Sequence, residues 1–246
     1  MLGYIYALKD SGFDRGVKIG RDKNHPGRLK IAQCYSPRGL DLVAIWPIDK
    51  GFQSLAEAER TARDGLPHFA RRNAGIEWRD VNADQALEQI SANLAVDPED
   101  VGRNPRITST YDDFRDPKHV ERGRYRQGLW VYRENETGLL KVQRTHSWEI
   151  PREAKKTYSI LGFQPVAMFL HNEKDGRSAG NQAIHDVWTR VVSELGHGVD
   201  HIQVGWLRGE AKYNQVRDLV RAAGLVECPR TSWKCAPVGM KPKGAG

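Results

Sequence analysis

Two tyrosines, a lysine and a glycine occupy alternating positions near the start of the chain and could form one polar surface. Tyr4 and Tyr6 alternate along one β-rich run, and Lys18 and Gly20 alternate along the next. Alternate residues of a strand point to the same face, so a hairpin would bring the two pairs together. Phenols, an ammonium and a glycine that permits close backbone approach suit a surface that faces a phosphate. The same residue types are also ordinary in strands, and that interpretation stays open for each residue alone.

A carboxylate is expected on the apolar side of a helix. Leu55, Glu59, Ala62 and Leu66 are spaced i, i+4, i+7 and i+11, which places them on one helix face. An ionised carboxylate on such a face is costly unless it is paired or binds a metal. Glu59 is therefore either a metal ligand or, at the edge of the face, the ion-pair partner of Arg63 at i+4.

The elements that must position these side chains follow from β-rich runs, turn residues and helix caps. Two strands around a Gly-containing turn predict a hairpin, Pro26 suits the first turn of a helix, and Val43–Ile48 predicts a third strand. Capping boxes predict two more helices, which begin after Ser54 and after Asn82. The order ββαβαα predicts an α+β domain with a small, mostly antiparallel sheet flanked by helices.

Taken together, residues 3–81 resemble the GIY-YIG nuclease superfamily. Tyr4-Ile5-Tyr6 stands where the family has Gly-Ile-Tyr, and Lys18-Ile19-Gly20 stands where it has Tyr-Ile-Gly. The lysine form is familiar in the phage-type branch, which tends to have Val-Lys-Ile-Gly-Arg, as Val17 to Arg21 does. The other family residues with counterparts in this chain are Arg28, Glu59 and Asn73. Five elements in the family's order make the resemblance fairly specific.

The resemblance implies hydrolysis of a phosphodiester with one divalent ion, Mg²⁺ or Mn²⁺, which leaves a 5′ phosphate and a 3′ hydroxyl. Glu59 would hold the cation through oxygen, and Arg28 would stabilise the phosphate oxygens. Tyr6 would take the proton from the attacking water, with Lys18 either assisting the phenol or acting as the base itself. The implied catalytic set is Tyr4, Tyr6, Lys18, Arg28, Glu59 and Asn73.

The second half of the chain repeats the same order of motifs, which favours an internal tandem duplication. The repeated blocks are Gly128 to Tyr132, Leu140 to Arg144, Arg152, Val166 to Phe169 and Gly205-Trp206, and throughout the strand part they lie 123 to 125 residues further on. An unrelated α/β domain is the alternative.

The second copy departs from the motif residues of the first. Val131 stands at the position of the first-motif tyrosine, Gln143 at that of the motif glycine and Ile184 at that of the glutamate. His185 and Asp186 follow Ile184 directly. The motif cations that the second half keeps are Lys141 and Arg152. A copy with cations but no metal ligand is expected to bind phosphate without cutting it.

Composition divides the chain into four parts. We predict a nuclease domain over 1–97, a Pro- and charge-rich linker over 98–127, a degenerate DNA-binding copy over 128–227 and a basic tail over 228–246.

The net charge of +7 favours a polyanionic partner, with double-stranded DNA expected first. The tail contributes Arg230, Lys234, Lys241 and Lys243 without an acidic residue, a composition that also fits a solubilising terminus. The expected DNA contacts are Arg21, Lys30, Lys141, Arg144, Arg152, Arg230 and Lys234.

Other features restrict the class of protein. No apolar run approaches the ~20 residues that a membrane span needs, and the first residues lack a signal-like core, so we expect a cytoplasmic protein without membrane contact. Three cysteines are too few and too far apart for a disulfide framework, and the gap between Cys228 and Cys235 fits no ordinary zinc spacing.

The resemblance implies a restriction, phage-defence or mobile-element nuclease. The oligomeric state is left open, with a homodimer as one alternative. The rivals are a nuclease of RNA or single strands and a non-catalytic nucleic-acid-binding protein that uses both halves for recognition.

Overall fold

The computed structural model describes residues 2–23, 36–69, 77–99, 127–146, 160–171, 177–198 and 205–229. Within these stretches the chain forms two small antiparallel four-stranded sheets and four helices, which confirms the predicted α+β class. They divide into two units, the first with 2–23, 36–69, 77–99 and 160–163 and the second with the remainder. No helix in these stretches has the length and apolar character needed to cross a membrane. The predicted helix at Pro26, most of the linker and nearly all of the tail lie outside the described residues.

The first sheet is built on the predicted hairpin. Strands β1 (Gly3–Asp10) and β2 (Val17–Asp22) pair antiparallel, with Tyr6 opposite Gly20 and Leu8 opposite Lys18. Strand β3 (Leu40–Ile48) pairs with the other side of β1, and the short β4 (Trp78–Arg79) pairs with β2. The strand order is therefore β3-β1-β2-β4.

The two helices of the first unit begin at the predicted caps. Helix α1 (Leu55–Ala62) follows Ser54, whose side chain accepts from the Glu57 amide, while the Glu57 carboxylate accepts from the Gln53 amide at 2.6 Å. Helix α2 (Ala83–Leu94) begins with a complete capping box, in which Asn82 and Gln85 accept from each other's amides. Each cap satisfies amides that the first helical turn leaves without an intrahelical acceptor.

The first sheet has two differently covered faces. We call the face covered by α1 and α2 the helix face; its buried strand side chains are Ile5, Ala7, Val17, Ile19, Ala44, Trp46 and Ile48. We call the opposite face the tyrosine face; its buried residues are Tyr6, Leu8, Leu40, Ile45 and Trp78, with Ile160 and Leu161 packed against them and Tyr4 at the margin. Full burial of one such aliphatic side chain stabilises the fold by about 1.5–3 kcal/mol.

The second unit contains a sheet with a related strand order. Strands β5 (Gln127–Glu134), β6 (Leu140–His146), β7 (Phe163–Leu170) and β8 (Val226–Glu227) follow the order β6-β5-β7-β8. As in the first sheet, the first strand of the set lies between the second and the third. Helix α3 (Arg177–Leu195) packs on β5 and β6, and helix α4 (Tyr213–Ala222) packs on α3.

The register of the second hairpin differs by one residue from the predicted alignment of the two halves. Gly20 lies opposite Tyr6, whereas Gln143, its counterpart, lies opposite Trp130. Val131 lies opposite Val142, and the Trp188 indole of α3 donates to the Val142 carbonyl at 3.2 Å. Trp130, and not Val131, is therefore the residue opposite Gln143.

A half-buried hydrogen bond in the second unit gives a prediction about pH. The Tyr213 hydroxyl donates to the Glu227 carboxylate at 2.9 Å, and burial first, then this hydrogen bond, raises the pKa of Tyr213 to about 12. The stabilisation is fully present below the unfolded pKa of about 10 and is lost as the pH rises through about 12, because the unfolded chain releases the proton first.

We expect the urea midpoint to fall between pH 9 and pH 11 more steeply in the native protein than in Tyr213→Phe. Equal slopes in the two proteins would exclude Tyr213 as the titrating group.

Candidate functional site

The tyrosine face carries the residues of both predicted motifs. Tyr6 is buried, and its ring lies over Gly20, where an added Cβ would overlap the phenol. The sequence predicted that this glycine lets a phosphate approach the backbone. In the structure, the Tyr6 ring fills that space instead, so Gly20 serves to seat the tyrosine.

Lys18 is also buried on the tyrosine face, at 2% exposure. Its ammonium forms an ion pair with Glu77, which immediately precedes Trp78 and is brought close by the pairing of β4 with β2. The sequence did not predict Glu77 as the partner of Lys18. The two residues are far apart in the chain, and only the pairing of Lys18 with Trp78 brings them together. The Lys18 ammonium, to which the resemblance assigns a role in catalysis, is therefore already paired with a carboxylate.

Glu59 lies on α1 at the helix face and is 8% exposed. Its Oε2 lies 3.4 Å from Nε of Arg21 and 3.7 Å from Nη2 of Arg63, and Arg63 Nε also donates to the Glu59 carbonyl at 3.0 Å. The i+4 pair that the sequence left open is therefore present. Arg21, the residue that follows the Lys-Ile-Gly motif, provides a second partner and connects the motif strand to the predicted glutamate.

A third arginine, Arg79, lies within range of the charge of Arg63. Arg79 is opposite Val17 in the sheet, 5% exposed, and its Nη1 lies 2.9 Å from Nδ1 of His68. Because a guanidinium only donates, this His68 nitrogen is the acceptor. Burial first, and then the positive charge of Arg63, lower the pKa of Arg79.

We call Arg21 and Arg63 with Glu59 the guanidinium cluster. Sequence reasoning named Arg63 only as an ion-pair partner and missed Arg79 and His68. The pairing of β4 with β2, which the sequence did not predict, positions Arg79.

The structure does not bring the whole predicted catalytic set together. Tyr4, Tyr6 and Lys18 belong to the tyrosine face, whereas Glu59 and Arg21 belong to the helix face. The reason is geometric, since neighbouring strand residues point to opposite faces and α1 packs on the side of Ile5 and Ile19. The remaining predicted catalytic residues, Arg28 and Asn73, lie outside the described residues.

Glu59 fits the role of a single protein ligand to a hydrated divalent ion. Mg²⁺ usually keeps several waters and binds through one or two carboxylates. Both ion pairs of Glu59 use Oε2, so Oε1 is the oxygen that would meet such an ion. Within the described stretches, no group of three or more His, Cys, Asp or Glu side chains could form an all-protein cage for a metal.

The second unit carries a contact that matches the ion pair of Arg21 and Glu59. Nη1 of Arg144, the residue after Gln143, lies 2.7 Å from Nδ1 of His185 on α3, whereas Ile184 is fully buried. On α3 it is therefore His185, and not Ile184, that lies beside Arg144.

The predicted DNA contacts of the second unit differ in exposure. Lys141 is only 3% exposed, and its Nζ lies 5.1 Å from the centre of the Trp206 ring, which argues against a direct phosphate contact. Arg144 is half-buried beside His185. The predicted contacts outside the described residues are Lys30, Arg152, Arg230 and Lys234.

Comparison of the chain with protein-family models, with curated proteins and with solved structures gives no match. The fold and the site define the class as an α+β protein with two small antiparallel sheets. Its first unit holds a nearly buried carboxylate among arginines.

Proposed function

We propose that the protein is a metal-dependent endonuclease that hydrolyses phosphodiester bonds of double-stranded DNA. The observation that carries the proposal is the contact between Arg21, at the end of the Val-Lys-Ile-Gly-Arg strand, and Glu59 on α1. It places the predicted metal ligand beside the most distinctive motif of the chain, in a positively charged setting that suits a phosphate. Restriction, phage defence and DNA mobility are the roles that the resemblance favours.

The side chains around Glu59 have separable tasks in such a reaction. Arg63 fixes the carboxylate through its contacts to the side chain and to the main chain. Arg21 supplies a planar guanidinium that is able to donate two hydrogen bonds to a phosphate. A bound divalent ion would supply charge stabilisation at the phosphate and the leaving oxygen. The resemblance implies Tyr6 or Lys18 as the general base, but both lie on the opposite face of the sheet from Glu59. The arginines next to Glu59 do not accept protons, so this arrangement leaves the base unassigned.

We propose further that the second unit is a degenerate copy that grips DNA without cutting it. Two features support this. The first three strands of each unit have the same spatial order, and Lys18 faces Trp78 across a strand pair as Lys141 faces Trp206. A neutral histidine next to Arg144 does not offset its charge as Glu59 offsets that of Arg21.

A non-catalytic nucleic-acid-binding protein is the second candidate. It is favoured by the ion pairs that already engage Glu59 and Lys18, and by the location of the tyrosines on the other face of the sheet. In that case the guanidinium cluster would hold phosphates with no metal.

Incubation of the purified full chain with supercoiled plasmid separates the two candidates. The nuclease proposal expects nicked and linear products with Mg²⁺ or Mn²⁺ and none with EDTA. Retention of the plasmid in a gel without any cleavage, in either ion, would favour the binding protein. Parallel reactions with single-stranded DNA and with RNA identify the polymer.

Removal of residues 230–246 is expected to weaken binding to duplex DNA of any sequence. Four cations leave with no acidic residue, so the slope of log K against log salt should fall by up to ~3.6 if all four contact phosphates. The measurement is a salt titration of binding by fluorescence anisotropy in EDTA. An unchanged slope would leave the tail as a solubilising segment.

A further inference from the structure

A groove in the first unit shares no residue with the guanidinium cluster or with the tyrosine face. It lies between the turn that follows α1 and one side of α2, and its volume is about 410 Å³. Ligand sites usually have volumes of about 300–1,000 Å³, so a small group fits here. Two buried apolar side chains, Leu66 and Val81, form part of the lining. We call this cavity the α2 groove; its polar lining residues are Arg15, Asp80, Gln85, Glu88 and Gln89.

The two glutamines of the α2 groove are held by hydrogen bonds within the protein. Oε1 of Gln85 accepts from the Asn82 amide at 3.2 Å, which leaves the NH₂ group of Gln85 for a ligand. Nε2 of Gln89 donates to Oδ1 of Asn93 at 2.9 Å, and Nδ2 of Asn93 donates to the Asp64 carbonyl at 2.8 Å. The groove therefore offers one amide donor, from Gln85, and one amide acceptor, Oε1 of Gln89.

The charges in the α2 groove are not balanced. Nε of Arg15 donates to Oδ1 of Asp80 at 2.7 Å, so these two side chains neutralise each other. Among the described residues, the Glu88 carboxylate forms no hydrogen bond or ion pair. Glu88 is therefore the uncompensated charge of the groove, and it lies beside an apolar lining.

The chain around the α2 groove determines the sign of the charge that a ligand can carry. Residues 80–99 contain no Lys, Arg or His and include five acidic residues, which are Asp80, Asp84, Glu88, Asp97 and Glu99. Like charges repel at these distances and opposite charges attract. A phosphate or a carboxylate is therefore disfavoured here, and a cation is favoured.

We propose that the α2 groove binds the guanidinium group of an arginine in a partner polypeptide. A guanidinium donates two parallel hydrogen bonds to a carboxylate, here that of Glu88, and has further N–H groups for Oε1 of Gln89. The aliphatic stem of the arginine would cover Leu66 and Val81. The NH₂ group of Gln85 would donate to a main-chain carbonyl of the partner. The inference does not depend on the proposed nuclease activity.

The apolar contact and the amides are essential to this proposal, because one exposed ion pair contributes little by itself. The test is a titration of the ¹⁵N-labelled full chain with the peptide acetyl-Gly-Arg-Gly-amide, followed by NMR. We expect saturable shifts of the side-chain amide signals of Gln85 and Gln89. A peptide with citrulline in place of arginine has nearly the same shape without the charge, and it should bind at least about 10-fold more weakly.

Variants of α2 locate the binding. Glu88→Gln should weaken binding of the arginine peptide about 10-fold or more, because a charged acceptor is lost. Asp84→Asn is the matched control, since Asp84 is also exposed, lies one turn earlier on α2 and does not line the groove. Its affinity for the peptide should equal that of the native chain.

Three results would overturn the proposal. These are equal affinity in Glu88→Gln, equal affinity for the citrulline peptide, and a loss in Asp84→Asn as large as that in Glu88→Gln, which would indicate unspecific charge attraction. Free L-arginine adds a carboxylate and should bind more weakly than the peptide; tighter binding would assign the groove to the free amino acid instead. No DNA is used, so the outcome is independent of plasmid cleavage.

Discussion

Replacement of Glu59 by glutamine is expected to lower the rate of Mg²⁺-dependent plasmid cleavage by at least ~10³-fold. Glutamine has the size of glutamate but no charge. Loss of charge stabilisation at a phosphate or oxyanion typically lowers the reaction rate by about 10²–10³-fold or more. Binding of DNA in EDTA should not weaken, because the carboxylate makes no favourable contact with a phosphate and its removal leaves Arg21 and Arg63 in place.

The measurement is single-turnover nicking of supercoiled plasmid with the protein in excess. Glu57→Gln is the control, since that carboxylate accepts from the Gln53 amide and belongs to the helix cap. Cleavage by Glu59→Gln at more than a tenth of the native rate would remove Glu59 from the site. Cleavage that is lost together with DNA binding would contradict the proposed division between metal and phosphate contacts.

Substitution of Gly20 by valine is expected to lower the free energy of unfolding by about 3 kcal/mol. The new side chain would occupy the volume of the Tyr6 phenol, and both residues are buried. Overpacking of this kind typically lowers the free energy of unfolding by about 1–3 kcal/mol. We expect the upper end of this range, because the Tyr6 ring cannot move away from Gly20 without exposing the tyrosine face.

A double-mutant cycle tests the cause. In the Tyr6→Ala background the space is already open, so Gly20→Val should cost at least about 1 kcal/mol less than it does in the native chain. Gly209→Val is the control, because among the described residues only a leucine methyl, of Leu139, lies near that glycine. Additive effects of Tyr6→Ala and Gly20→Val in urea unfolding would contradict the contact.

The sequence predicted the helix caps and the first strand pair, because these depend on residues that are close together in the chain. The side chains of Ser54 and Asn82 accept from amides three residues on, so their caps could be predicted without knowledge of the fold. The strand pair around Tyr6 and Lys18 followed from alternation and a turn. The strands β4 and β8 could not be predicted in this way, because each has two residues and depends on a partner far away in the chain.

The site was harder to predict because it depends on which sheet face a helix covers. The spacing of Leu55 and Glu59 defines a helix face but does not say whether that face meets Tyr6 or Ile5. The partners of Lys18 and Glu59 likewise depend on the pairing of β4 and on the end of β2. In the second unit, Trp130 lies opposite Gln143 and His185 lies beside Arg144, and a one-residue change of alignment would replace each by a neighbour that points in a different direction.

The outer strand β3 affects how the first unit can be isolated. The outer edge of such a strand presents backbone amides and carbonyls that can pair with a strand of another molecule. Pairing of this kind is a common origin of aggregation. Here the Glu99 amide donates to the Ile45 carbonyl at 2.8 Å, Pro47 lacks an amide and Asp41 is charged and exposed. A fragment that ends at residue 97 would uncover the Ile45 carbonyl and self-associate more readily than a fragment that continues past Glu99.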